Sequence, residues 1–182
     1  MEIDSDERII EKIRGGDISL YKKIIERFED KLGRYINQMI YSRADKEDVL
    51  QEVFIKTFKN LNSYNSDLKF SSWIYRIAHN ETINWIKKNQ KNKMVEIIDN
   101  DVDINSQEKS AYEKMSHIKD IKKIQKCIGK IPIKYKEAIL LRYIEEKTYE
   151  EISDILRKPT SSIGTLIQRG IKELQKTCQN QK

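Results

Sequence analysis

Cysteine is nearly absent from this chain. Cys127 and Cys178 are its two, far apart in sequence and in no metal-ligand spacing. That excludes a disulfide-dense scaffold and a zinc module. The opening MEIDSDERII has no signal-peptide pattern, so a reduced, cytoplasmic protein is expected. Histidine is as scarce: neither His79 nor His117 has a nucleophile or ligand partner at a useful spacing. There is no Gly-rich phosphate loop, and the carboxylates scatter over helix surfaces. The chain is therefore not expected to be an enzyme, to carry a cofactor or metal, or to act on a small-molecule substrate. No apolar run approaches the roughly 20 residues that span a bilayer. Six Gly, two Pro and no alternating Val/Thr/Tyr runs point to an all-α protein.

What is present is charge, unevenly spread. The 182 residues allow one or two small domains, with a net charge of +6. Residues 1–92 carry 17 Lys/Arg against 15 Asp/Glu, residues 93–118 carry 3 against 6, and residues 119–182 carry 15 against 8. The last third thus has the positive field of a polyanion binder, and an acidic segment precedes it. The stretch VEIIDNDVDINSQE lacks helical periodicity and contains no Lys or Arg. It reads as a tether, giving a first domain over 1–92, an acidic flexible linker over 93–117 and a second domain over 118–182.

Helical periodicity fills both domains. DSDERIIEKIRGGD reads as a short capped helix closed by Gly15-Gly16, with Asp17 opening the next. Leu20, Ile24, Phe28, Leu32, Ile36 and Ile40 mark a long amphipathic helix. Leu50, Phe54, Phe58 and Leu61 are the expected buried face of the one after it. Then comes the turn-rich NSYNSDLKF, with Ser71 or Ser72 placed to cap a helix running to about Asn89. On that helix Trp73, Arg76, Asn80, Asn84, Lys87 and Lys91 fall within one 80° stripe at about 100° per residue. Guanidinium, amides and ammoniums beside an indole offer hydrogen bonds, charge and a stacking face together. Nucleic acid is one surface that uses all three, and a merely solvated helix face is the competing interpretation.

The most specific pattern is KTYEEISDILRKPTSSIGTLIQRGIKEL. Thr148 and Glu151 have capping-box spacing, and Ile152, Ile155 and Leu156 form an inner face. Arg157-Lys158-Pro159 makes a short turn, and Thr160 is placed to cap the next helix. On that helix Ile163, Ile167, Ile171 and Leu174 share a side, while Ser161, Thr165, Gln168, Arg169 and Lys172 lie opposite. An eight-residue helix, a tight turn and a second helix with a polar, basic outer face is the layout of a helix-turn-helix. An ordinary hairpin in a bundle is the plainer alternative.

At this point the chain resembles the bacterial RNA polymerase sigma factors of the extracytoplasmic-function (ECF) class. Four blocks carry the resemblance, in the family's order: KIRGGDISLYKKIIERF, DKEDVLQEVFIKTFKNL, KFSSWIYRIAHNETINWIKK and IPIKYKEAILLRYIEEKTYEEISDIL. It implies two small helical domains, region 2 and region 4. It also implies binding to core RNA polymerase through the β′ clamp helices and β flap, to promoter DNA, and to an anti-sigma factor. Carried onto this sequence, Asp48, Gln51, Glu52 and Ile55 would meet the polymerase. Tyr64, Asn65, Lys69 and Phe70 would hold a flipped minus-ten base. Trp73, Arg76, Asn80, Asn84, Lys87 and Lys88 would read the minus-ten element. Thr160, Ser161, Ser162, Thr165, Gln168, Arg169 and Lys172 would serve the minus-thirty-five element. The linker would thread the polymerase cleft and RNA exit channel.

Departures from the family pattern are Glu81 at a usually apolar position, and Gly164 and Leu166 at frequently basic ones. Arg157 stands where Gly is common in the turn, which speaks against a left-handed backbone there. A stand-alone helix-turn-helix regulator is the alternative function. It explains residues 119–182 but gives the Asp48/Gln51/Glu52 face no task, and no dimerisation seam is visible.

Overall fold

The computed structural model describes residues 4–40, 42–90 and 126–179, so the proposed linker lies outside the described residues. Among the described residues all regular structure is helical. The elements are α1 (Asp6–Arg14), α2 (Tyr21–Asn37), α3 (Arg43–Lys59), α4 (Phe70–Gln90), α5 (Ile133–Tyr143), α6 (Tyr149–Leu156) and α7 (Thr160–Gln179), with short 3-10 turns at Ile18–Leu20 and Leu61–Ser63. Residues 126–130 are also helical.

The first domain packs α1, α2, α3 and α4 around Ile9, Ile24, Leu32, Ile36, Val53 and Ile74. Ser5 caps α1 by accepting from Arg8 N–H at 3.3 Å, and Gly16 leaves the helix at φ 110°, where only Gly is unstrained. On α2, Ile24, Phe28, Leu32 and Ile36 are buried as their spacing requires.

On α3 the buried face is rotated from the expected one. Val49, Val53, Phe54 and Thr57 point inward, Leu50 is half-buried, and Phe58 is 41% exposed. The two valines fit the narrow gap against α2 and α4. The Phe58 ring lies outside that gap, edge-on to Tyr21 with centroids 4.9 Å apart.

The start of α4 also differs. Ser71 and Ser72 lie within the helix, which begins at Phe70, whose N–H donates to Glu7 Oε1 of α1 at 3.2 Å. A carboxylate from another helix thus satisfies a free N-terminal donor and complements the helix dipole. Glu81, at its usually apolar position, accepts from Lys56 Nζ of α3 at 2.6 Å.

In the second domain α7 lies along α5. A Cβ on Gly170 would stand 2.8 Å from Ile139 Cδ1 and 3.1 Å from Tyr135 Cβ. The capping box on α6 is complete: Glu151 N–H donates to Thr148 Oγ1 at 3.2 Å, and Thr148 N–H to Glu151 Oε2 at 2.9 Å. Arg157 does adopt the left-handed conformation, φ 50° and ψ 48°. The reason is local. Arg157 N–H and Lys158 N–H both reach Ser153 C=O, and Ser153 Oγ donates to Lys158 C=O at 2.6 Å. Those bonds satisfy the end of α6 and offset the Cβ strain. Thr160 is the first residue of α7 rather than a cap before it. Cys127 and Cys178, read as separate thiols, are joined in a disulfide with Cα atoms 5.4 Å apart.

The two domains touch. Helix α6 packs across α4, so the first helix of the helix-turn-helix sits on the helix with the polar stripe.

Candidate nucleic-acid and polymerase interface

Four groups of side chains make up the candidate site. The first is on α7, whose inner face is held by Ile163, Ile167 and Gly170. That packing turns Ser161, Thr165, Gln168, Arg169 and Lys172 outward, all exposed, with Thr160 exposed and Ser162 half-buried at the helix start. Leu166 is partly buried against the core, and a Cβ on Gly164 would stand 3.6 Å from Tyr149 Cε2, an ordinary contact. Leu166 therefore serves packing, whereas the space at Gly164 would accept a Cβ. The outer face offers hydroxyls near the N-terminus, then an amide and two cations, the chemistry that reads base edges and phosphates in a major groove.

The second group lies along α4. Asn80, Asn84, Lys87 and Lys88 are exposed. Trp73 is only 8% exposed and tilts against Tyr64 and Phe70. Arg76 is half-buried, its Nη1 donating to Asp154 Oδ1 of α6 at 3.1 Å. A shallow cleft is lined by Asn60, Ser63, Trp73, Arg76, Ile77, Asn80 and Arg157. Periodicity alone missed Asn60 and Ser63, which belong to a turn outside the helix, and Arg157, which arrives from the other domain.

Asn65 and Lys69 are exposed in the loop before α4, as a ligand-facing pair requires. Tyr64 and Phe70 correct the sequence reading. Phe70 is 0% exposed and edge-on to Phe28 and Tyr64, and Tyr64 donates its hydroxyl to Leu68 C=O. Their rings fill the core under the loop, so in this conformation neither presents a stacking face. Arg14 fixes the loop from below, its guanidinium donating to Leu61 C=O at 2.6 Å and also to Tyr64 C=O. That long-range anchor has no sequence signal.

The fourth group is on α3. Asp48, Gln51, Glu52 and Ile55 are all exposed on the side away from Val49 and Val53. Ile55 at 38% and Phe58 at 41% exposure add apolar area to an otherwise acidic, polar face. Such a mixture suits a protein partner better than a nucleic acid.

Several ionisable groups, some of them buried, lie between the domains. Lys69 Nζ meets Glu151 Oε1 at 3.0 Å, and the Tyr75 hydroxyl donates to Glu145, whose other carboxylate oxygen is buried without a partner. The Lys147 ammonium stands 4.3 Å from the centroid of the Tyr75 ring. Burial pushes the Glu137 carboxyl up to about 7, against the opposing pull of Lys158 and Lys87. Burial also lowers His79 to about 4, and its Nδ1 lies 3.3 Å from the Tyr35 hydroxyl. No group of three or more His, Cys, Asp or Glu side chains able to hold a metal ion occurs among the described residues, and no described helix is long and apolar enough to cross a membrane.

Comparison with known proteins agrees with this geometry. Residues 24–92 match the Sigma-70 region 2 family and residues 121–174 the Sigma-70 region 4 family. The ECF RNA polymerase sigma factor SigW of Bacillus subtilis is 30% identical, over 92% of this chain and 93% of its own. The ECF sigma-E factor of Escherichia coli is 26% identical, over 91% and 90%. Among solved structures, CnrH in complex with the cytosolic domain of CnrY has the same fold, with a TM-score of 0.73 at 16% identity, covering 98% of this chain and 100% of that one. The sigma factor RpoE of Bartonella quintana, in complex with the anti-sigma factor NepR, gives 0.69 at 17%, covering 89% and 98%. With region 2 and region 4 both matched in order, and a relative at 30% identity spanned almost end to end, the chain belongs to the ECF RNA polymerase sigma factors.

Proposed function

We propose that residues 1–92 bind core polymerase and the minus-ten element, that residues 118–182 bind the minus-thirty-five element, and that residues 93–117 link them. The observation that carries this division is the placement of three outward faces on three separate helices. The α3 face around Asp48, Gln51, Glu52 and Ile55 meets the polymerase. Asn80, Asn84, Lys87 and Lys88 on α4 read the minus-ten strand, and Gln168, Arg169 and Lys172 on α7 read and anchor the upstream duplex.

Melting the minus-ten element costs a few kcal/mol of unstacking. Asn65 and Lys69 in the loop and the cleft beside Trp73, Arg76 and Asn80 are the groups available to hold an extruded base. Tyr64 and Phe70 shape that place from beneath. The chain works without chemistry of its own, in the cytoplasm where polymerase is.

With α6 against α4, Asp154 of α6 holds the Arg76 guanidinium. Engaging the minus-ten strand with Arg76 therefore requires α6 to move off α4 when polymerase is bound. CnrH, which shares this fold, is in complex with the cytosolic domain of CnrY, and RpoE with the anti-sigma factor NepR. An anti-sigma factor that stabilises the closed arrangement is the matching partner for this chain.

Run-off transcription with purified core polymerase tests the division of labour. Asn80→Ala should remove promoter-specific initiation and leave polymerase binding intact. Charge reversal at Asp48 and Glu52 should remove polymerase binding itself. If the Asn80 variant loses polymerase instead, the assignment of the α3 and α4 faces is wrong.

A further inference from the structure

The cysteines are not among the proposed promoter- or polymerase-binding residues, and the fold brings them together. Cys178 continues the inner stripe of α7, following Ile163, Ile167, Ile171 and Leu174 at helical spacing, and is half-buried. Cys127 is wholly buried in the helical residues 126–130, beside Ile128 and Ile131. Their Cα separation of 5.4 Å is one that a disulfide spans without backbone movement.

The bond encloses the complete helix-turn-helix, since the cysteines are 51 residues apart and α5, α6 and nearly all of α7 lie between them. It also ties down the far end of α7, beyond Ile171 and Leu174. Gly170 is the close contact of α7 with α5, and Cys178 lies eight residues beyond it, about 12 Å along the helix at 1.5 Å per residue.

We propose that Cys127 and Cys178 are a reversible redox staple that sets how firmly the DNA-reading domain holds its shape. A small aliphatic disulfide serves as the oxidant. The more accessible Cys178 thiolate attacks one of its sulfurs and expels one half as a thiolate. The Cys127 thiolate then attacks the Cys178 sulfur of the mixed disulfide and expels the second half. The protein's two thiols lose two electrons and two protons, and the small disulfide becomes two thiols. In the reduced chain the last turns of α7 lose their covalent tie and a closed loop becomes an open one, which enlarges the unfolded ensemble.

The test uses the full chain treated with oxidised glutathione or with dithiothreitol. Maleimide labelling with mass spectrometry and thermal melting are then read. After oxidation the wild type is expected to take up no maleimide and to melt several degrees above its reduced form. Cys178→Ala is expected to melt at one temperature in both buffers. That variant leaves the buried Cys127 in place, so the comparison does not depend on a core substitution folding. Two labelled thiols, a stable glutathione adduct at Cys178, a disulfide-linked dimer, or unchanged melting on bond formation would each overturn the proposal.

One functional readout rests on the promoter-reading role proposed above. Between the two melting temperatures, run-off transcription with core polymerase should persist with the oxidised chain and fall with the reduced one. Equal output overturns the functional part of the staple, whereas no output from either chain counts against the promoter-reading role. Labelling and melting do not involve polymerase and distinguish the two failures.

Discussion

Arg76 Nη1 donates to Asp154 Oδ1 at 3.1 Å, an ion pair that ties the minus-ten helix to the first helix of the helix-turn-helix. Both side chains are partly shielded, at 15% and 26% exposure, so water screens them less than a surface pair. The carboxylate occupies the guanidinium that region 2 would turn toward nucleic acid. Asp154→Asn is predicted to free Arg76 and raise the free chain's affinity for a single-stranded minus-ten oligonucleotide by about fivefold, on the order of 1 kcal/mol. Fluorescence anisotropy at moderate salt measures it, and an unchanged affinity would show that this contact does not guard Arg76.

Arg169 is an exposed cation on the outer face of α7. Replacing it with Ala removes one phosphate or base partner without touching the packed stripe. Holoenzyme affinity for promoter DNA is expected to fall, and the slope of log affinity against log salt to flatten by about one. A preserved slope would place Arg169 away from the DNA backbone.

Glu137 is 6% exposed, and burial raises its carboxyl to about 7 from an ordinary value of 4.5. For an acid whose folded value is raised, the stability contribution is whole below pH 4.5. It is lost as pH climbs through 7, because the unfolded carboxyl ionises first. His79, lowered to about 4 from 6.5, acts oppositely and loses stability as pH falls through that window. The two slopes partly cancel in the wild type. Glu137→Gln is predicted to remove one of them, stabilising the protein at pH 8 by about 2–3 kcal/mol and leaving a visible acid-side loss from His79. Urea melts at pH 5 and 8 decide it; a variant no more stable at pH 8 than the wild type would mean Glu137 is not desolvated.

Gly170 faces α5 where a Cβ would come within 2.8 Å of Ile139 Cδ1. Gly170→Ala gains up to about 1 kcal/mol of helix propensity but overpacks the contact, which costs about 1–3 kcal/mol. A net fall in melting temperature is expected. Ile139→Val removes the clashing methyl, so the double variant should be more stable than the two single effects added together. Strict additivity would show that α7 simply moves away.

Much of this architecture was legible in the chain itself. The buried stripe of α2, the capping box of Thr148 and Glu151, the eight residues of α6 and the two faces of α7 all follow from local spacing and local hydrogen bonding. Other features resisted a linear reading because their causes lie far off in sequence. Phe70 and Tyr64 look like stacking rings in a polar loop until Phe28, Trp73 and the Arg14 anchor surround them. Phe58 looks like core until Val49 and Val53 take the narrow face of α3. Arg157 looks unsuited to a left-handed turn until Ser153 and Lys158 close hydrogen bonds around it.

The sequence by itself determined the helices, the inner and outer faces of α2, α6 and α7 and the family blocks, because each depends on neighbours within about one or two turns. Only the tertiary structure decided which groups find distant partners: Arg76 pairs with Asp154, Lys69 with Glu151 and the Phe70 N–H with Glu7. It likewise decided that Cys127 and Cys178 meet. Contacts between residues dozens of positions apart depend on how whole helices stack, and a periodic pattern carries no record of which helix lies against which.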